Sequence, residues 1–393
     1  MSALSELLIE LFIMKNMYLY ILFSFSLLFP ACSKNDDPIV TEDQEYVINW
    51  NAAADSSSST MVLSYWNATD SYFNFNNSGQ KNFNYWPQAH ALDVMIDAYS
   101  RTNDNLYKTT ITQWYDGVKK KNGNTFYNEY YDDMEWIALA MLRGYNVTQD
   151  ERFKTASKDV WIDIQTGWNT NAGGGVSWKK DQPYSKNACS NGPACILAAR
   201  MFQQFGDVKD KEWALKIYDW EKEYLFNPAN GAVYDNIDSR TGVAQKSWIF
   251  TYNEGTFLGA ALELYKITGE KGYMNDAIKA ADYTLNNLVD GNDRLLKSEG
   301  EGDGGLFKGV FIRYFTQLIL HPDLDSATKK RYINFIKLNG ETLWRQGTNK
   351  QLVLFSSYWK TKPGTTTELT TQTSGATLIE AMALLKKQGL LDN

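Results

Sequence analysis

From residue 45 to residue 388 the chain repeats one signal, apolar side chains recurring every three and four residues, in about twelve separate stretches. They run roughly over 45–69, 87–102, 104–121, 132–146, 149–167, 191–206, 208–226, 253–268, 270–289, 307–320, 324–344 and 373–388. The odd-numbered stretches are amphipathic, as in Glu212-Trp213-Ala214-Leu215-Lys216-Ile217-Tyr218. The even-numbered ones are apolar nearly all round, as in Gly255-Thr256-Phe257-Leu258-Gly259-Ala260-Ala261-Leu262. A helix that is apolar on every side must be buried, and an amphipathic one covers it. Six such pairs, about 45 to 65 residues apart, predict an all-α chain with six inner helices wrapped by six outer ones, an (α/α)6 barrel. Strand signals are confined to short pieces at Val176-Ser177-Trp178, at Val233-Tyr234-Asp235 and from Leu352 to Tyr358.

Of the 393 residues 44% are apolar and 14% aromatic, enough for one large core, and no break in composition divides residues 45–393. The net charge of −7 gives no reason to expect nucleic acid as a partner. Only His90 and His321 are histidines, and the spacing of Cys189 and Cys195 does not match a CxxC metal site, so no metal or cofactor is expected. Those two cysteines pair or remain buried thiols; the sequence leaves both open.

The amino end reads as a targeting segment. Lys15 precedes an apolar run from Met17 to Phe29 that ends at Pro30-Ala31-Cys32, too short to span a membrane and laid out like a signal peptide over residues 1–32, with Met14 as an alternative start. Its end resembles a bacterial lipobox, which implies lipidation of Cys32. Residues 33–44 then form a polar tether, and the acidic pair in Ser33-Lys34-Asn35-Asp36-Asp37-Pro38 resembles a signal for export to the outer surface. The expectation is an exported monomer that touches the membrane only through its lipid, on the outer-membrane cell surface or otherwise in the periplasm.

Each inner stretch begins with a polar or aromatic cluster. In an alternating barrel all six of these starts open on one face, so the clusters converge on a single pit. They include Tyr85-Trp86-Pro87-Gln88-Ala89-His90-Ala91-Leu92-Asp93, Tyr131-Asp132-Asp133-Met134-Glu135-Trp136 and Asn187-Ala188-Cys189-Ser190-Asn191-Gly192-Pro193. The series continues with Thr251-Tyr252-Asn253-Glu254-Gly255, Phe307-Lys308-Gly309 and Thr371-Gln372-Thr373-Ser374-Gly375. Capping accounts for any one of them, with Asn191, Asn253 and Thr373 as good N-caps. A pit of rings, amides and carboxylates suits a sugar, whose C–H faces stack on Trp and Tyr and whose hydroxyls need paired donors and acceptors. Adjacent carboxyls at a buried helix start are a costly arrangement, because burial and mutual repulsion favour a proton on at least one of them. Glycosidic cleavage needs such a pair.

This ordered set of motifs resembles glycoside hydrolase family 76 from about residue 45 to the carboxyl end. The resemblance implies an (α/α)6-barrel endo-α-1,6-mannanase acting on the mannan backbone with retention. By the family motif Asp132 is the nucleophile and Asp133 the general acid/base, with the resting proton on Asp133. Candidate substrate-binding residues are Trp86, Gln88, Asp93, Tyr131, Trp136, Asn191, Tyr252, Asn253 and Gln372. Trp178 is a candidate sugar platform in a glycine-rich cleft wall. Glu254 stands where the family is expected to carry Gln, and Glu135 is a candidate capping-box partner. The run Gly300-Glu301-Gly302-Asp303-Gly304-Gly305 reads as a rim loop. Transfer of the mannosyl group to a second glycan, and glycan binding without catalysis, are the competing functions.

Overall fold

The computed structural model describes residues 46–391, so the signal segment, Met14, Cys32 and the whole tether lie outside the described residues. From Ile48 onward, twelve α-helices follow one another among the described residues: α1 (Trp50–Thr60), α2 (Tyr85–Thr102), α3 (Asn105–Lys121), α4 (Tyr131–Thr148), α5 (Glu151–Gln165), α6 (Gly192–Phe205), α7 (Val208–Tyr224), α8 (Thr251–Thr268), α9 (Lys271–Asn287), α10 (Gly304–Leu320), α11 (Ser326–Arg345) and α12 (Leu369–Lys387). The even-numbered helices form a closed ring, each packing on the next and α12 returning to α2, and the odd-numbered ones pack outside it. This is the (α/α)6 barrel that the alternating periodicity predicts. The side chains that made the inner helices apolar all round, such as Leu92, Ile137, Leu197, Leu258, Phe311 and Leu378, are fully buried.

The two ends of the barrel are wired differently. Four inner helices hand over to the next outer helix through a two-residue turn, at Asn103-Asp104, Gln149-Asp150, Gly206-Asp207 and Gly269-Glu270. The first residue of each turn is left-handed, with φ between 57° and 78°, which closes the inner helix, and Asp104, Asp150 and Asp207 then cap the outer helix with a side-chain oxygen. Inner helices receive no side-chain cap at their starts. Asn253 and Thr373 are not caps, because α8 and α12 begin earlier than the periodicity suggested, at Thr251 and Leu369.

Returning connections from outer to inner helices are long and gather on the opposite face. They carry β1 (Trp66–Asn67) with β2 (Tyr72–Phe73), a four-stranded antiparallel sheet β3 (Ser177–Lys179), β4 (Gln182–Asn187), β5 (Asn236–Asp238) and β6 (Val243–Ala244), and β7 (Thr348–Asn349) with β8 (Leu354–Phe355). A common clamp fixes four of these connections to the helices they feed. Gln88 accepts the Phe73 N–H and donates to the Phe73 carbonyl, both at 2.8 Å. Asn191 does the same to Val176 at 2.8 and 3.0 Å. Gln372 accepts from Phe355 N–H at 3.1 Å and donates to the Val353 carbonyl at 3.0 Å. Glu254 accepts from Val233 N–H at 2.8 Å, while its second oxygen has no partner among the described residues. The amides read from sequence as sugar contacts are therefore occupied with backbone, and buried backbone groups of irregular loops need such partners.

Candidate active site

A cleft of about 680 Å³ opens on the face where the inner helices begin. Asp132 and Asp133 lie in its wall as the second and third residues of α4, beside Trp86, Trp136, Trp178 and Tyr252. Both carboxyls are free of ion pairs among the described residues, and no Lys or Arg lines the cleft. Acidic groups dominate instead: Asp235, Asp238 and Asp303 share the lining.

Local structure explains how Asp132 is held. The loop from Gly173 to Gly175 has φ of +72°, +149° and +83°, and a Cβ on Gly175 would meet the Trp220 ring at 2.7 Å, so only glycine lets the chain pass there. It delivers Val176 to its Asn191 clamp and Trp178 to the cleft, while Lys179 bridges back to Tyr130, the residue before α4. The Trp178 indole Nε1 donates to Asp132 Oδ2 at 3.2 Å, and the Cys189 thiol donates to the same oxygen at 3.3 Å. Asp132 Oδ1 is buried and meets no hydrogen bond of normal geometry.

The electrostatics separate the two carboxyls. Burial raises Asp132 to about 7, opposed by hydrogen bonds from Cys189, the backbone of Asp133 and Trp178. Asp133 is pushed well above the ordinary carboxyl range, first by burial and then by the charges of Asp132, Asp303 and Glu129. Asp132 is thus the first of the pair to ionise, and its charge keeps the second proton on Asp133.

Aromatic groups furnish the rest of the cleft. The Trp136 ring lies 6.5 Å from that of Trp86 and 4.9 Å from His90, which burial lowers to about 3 and so holds neutral. Tyr252 stacks on Phe307 at 4.0 Å. Asp235 is buried at the cleft edge, its Oδ1 accepting from Asn253 at 2.9 Å and from the Tyr252 hydroxyl at 3.3 Å, its Oδ2 from Asn236 at 2.8 Å.

Of the residues singled out in the sequence, Trp86, Asp132, Asp133, Trp136 and Tyr252 come together in the cleft. Gln88, Asn191 and Gln372 are the backbone clamps, and Asn253 stands behind Asp235. Asp93 is ion-paired with Arg143 and Arg313, away from the cleft lining. Tyr131 turns outward to Thr166 on the α5 side, and Tyr130 takes the cleft position. Glu135 is fully buried and closes no capping box on α4; the backbone donor near it is the Ala194 N–H at the start of α6. Cys189 and Cys195 stay unpaired; Cys195 donates to the Ala214 carbonyl at 3.3 Å. Asp235, Asn236, Asp238 and Trp248 are among the cleft groups that the sequence did not mark, since none belongs to a helical periodic pattern, and Cys189 was quoted in a converging cluster without a role. Only the first part of the rim run is a loop: Asp303 reaches the cleft just ahead of α10, and Gly304 and Gly305 are the first residues of that helix.

The sequence profile of glycosyl hydrolase family 76 matches residues 49–393. The chain belongs to that family. An α-1,6-mannanase from Salegentibacter sp. HEL1_6, also of family 76, is 43% identical and superposes with a TM-score of 0.83, covering 86% of this chain and 100% of its own. An inactive variant of that mannanase, with two consecutive aspartates replaced by alanine, has been solved with α-1,6-mannotetrose bound; it is 42% identical, with the same TM-score of 0.83 and the same 86% and 100% coverage. The mannan endo-1,6-α-mannosidase DCW1 of Saccharomyces cerevisiae is 33% identical over 206 residues, 47% of this chain and 45% of the yeast protein. Its Candida glabrata namesake is 28% identical over 211 residues, 47% and 46% of the two chains. This family 76 chain thus spans about half the length of the curated relatives it matches.

Proposed function

We propose that this family 76 protein hydrolyses α-1,6-mannosidic bonds within the mannan backbone, endo-acting and with retention, using Asp132 as nucleophile and Asp133 as general acid/base. The observation that carries the reading is the pair itself: two carboxyls side by side in an aromatic, cation-free cleft, with the proton held on Asp133 by the charge of Asp132. The replaced aspartates and bound mannotetrose of the Salegentibacter relative support it.

In the first step Asp132 attacks the anomeric carbon while Asp133 gives its proton to the departing glycosidic oxygen, which leaves with the bonding electron pair. Water then cleaves the mannosyl ester, losing its proton to Asp133 and restoring both groups. Trp86, Trp136 and the Tyr252–Phe307 stack are surfaces for sugar C–H faces, and Asp235, held by three donors, accepts from sugar hydroxyls. The same proposal places the protein outside the cell membrane, anchored through a lipidated Cys32.

The test is hydrolysis of debranched α-1,6-mannan followed by NMR of the first product formed. Asp132→Asn and Asp133→Asn are expected to lose activity by about 10²–10⁴-fold while keeping the wild-type circular dichroism. Near-normal turnover in either variant, or a first product of inverted configuration, would overturn the assignment. Mannan binding without release of oligosaccharides by the wild type would favour the non-catalytic alternative.

A further inference from the structure

Nothing in the cleft wall offers Asp132 a cation, yet the mechanism needs it as an anion aimed at one carbon atom. The groups facing the pair are Glu129 ahead of α4, Glu135 on α4, Cys189 in the turn before α6, Asp235 in the β5 connection, Tyr252 on α8 and Asp303 at the start of α10. All are neutral or acidic. Only donors can then favour the Asp132 anion; beside the backbone N–H groups at the start of α4, two side chains supply them.

Both donors come from one piece of structure. Trp178 lies on β3 and Cys189 follows β4, strands paired through Ser177 and Lys186. The buried Lys186 ammonium ties them further, donating to the Gly175 carbonyl at 2.6 Å and to Ser177 Oγ at 3.2 Å. The turn holding Cys189 is fixed in turn by the Ala188 N–H, which donates to the Asp235 carbonyl at 2.8 Å. The hairpin therefore carries its two donors as one unit, and both end on Oδ2 at 3.2 and 3.3 Å.

We infer that Trp178 and Cys189 act together as positioning residues for Asp132, fixing its carboxyl group through Oδ2. This rests on the nucleophile assignment above. It gives Trp178 a hydrogen-bonding role in place of the sugar platform expected from sequence, and gives a thiol a part in glycoside cleavage that needs neither oxidation nor nucleophilicity. The bond formed is from the Asp132 carboxylate to carbon, and the thiol proton stays on sulfur throughout.

The experiment compares the full chain with Trp178→Phe, Cys189→Ala and Cys189→Ser, reading kcat and KM on α-1,6-mannotetraose across pH. Losing a donor to a carboxylate raises its pKa, so Trp178→Phe and Cys189→Ala should each move the acidic limb of kcat/KM up by about one pH unit and lower kcat roughly tenfold, with KM changed by less than about twofold. Cys189→Ser, which keeps a donor, should return the limb toward that of the wild type. A raised KM with an unmoved limb in Trp178→Phe would make the indole a sugar platform, and an unmoved limb in Cys189→Ala would make the thiol a space filler; either overturns the inference. Where a variant fails to fold, methyl methanethiosulfonate on the wild type replaces it: capping Cys189, verified by mass, should shift the same limb, and a capped enzyme with an unshifted limb counts against the pair. Asp132→Asn separates the two levels. If it stays active the nucleophile reading fails; if it is dead while the limbs do not move, only the positioning pair fails.

Discussion

Trp86 and Asp303 meet at the cleft mouth, the indole Nε1 donating to the carboxylate Oδ1 at 2.9 Å, which joins the starts of α2 and α10 with α12 between them in the ring. Asp303 also acts at a distance, since its charge is one of those that raise Asp133. Asp303→Asn keeps an acceptor for the indole and removes the charge. Asp133 should then release its proton more readily, so the alkaline limb of kcat/KM should move to lower pH while the acidic limb, set by Asp132, stays within about 0.3 unit. A pH–rate profile with both limbs unmoved would remove Asp303 from the electrostatics of the pair.

The wild-type profile has its own expectation. The proposed mechanism requires Asp132 ionised, and the folded environment raises that group to about 7. Activity should therefore climb through the neutral range and fall roughly tenfold per pH unit on the acid side, the slope of a single ionisation. A flat profile extending well below neutrality would contradict the desolvated environment described for Asp132.

Asp93 tests a structural role against a binding one. Burial acts to raise it, but the guanidinium groups of Arg143 and Arg313 prevail and hold it below the usual aspartate range. Asp93→Asn leaves both cations short of a buried partner and should cost about 3–5 kcal/mol in urea unfolding, with KM for mannotetraose unchanged in the folded fraction. A weakened KM at wild-type stability would restore Asp93 to the sugar site.

Glu254 occupies a clamp position where Gln88 and Gln372 use an amide to satisfy acceptor and donor at once. Burial raises its carboxyl well above the ordinary range, only partly offset by the Val233 N–H, so the folded protein keeps it protonated. A raised acid of this kind contributes its full stability below the unfolded glutamate pKa and loses it as pH rises through the folded value. Glu254→Gln has no such dependence. Its advantage over the wild type should widen as pH rises above the unfolded glutamate range, by up to about 1.4 kcal/mol per pH unit until the folded value is passed, read from thermal melts. A difference that stays constant with pH would show that Glu254 is not the protonated mimic of an amide.

The barrel was legible because a helix apolar on all sides, like α8 or α12, has no other place than an inner ring. The presence of Asp132 and Asp133 in the cleft was legible because adjacent carboxyls ahead of Met134 and Trp136 are costly on a helix buried for packing alone. Amides were misread for a physical reason: Gln88, Asn191 and Gln372 stand at the starts of the inner helices, where sugar contacts were expected, yet their partners are backbone groups in irregular connections 15 to 19 residues upstream. No periodicity marks such a partner. Asp235 escaped because its connection reads as a strand fragment, and its three donors converge only in the folded chain.

Two-residue hand-overs at one end and long returns at the other divide the labour of the chain. An insertion at Gln149-Asp150 or Gly206-Asp207 would have to break a helix stop and the cap that follows it at once. Additional residues between β5 and β6, or ahead of α10, would only heighten the cleft rim. Lineages sharing this wiring are therefore free to remodel which branched chains they admit while the ring beneath keeps its register.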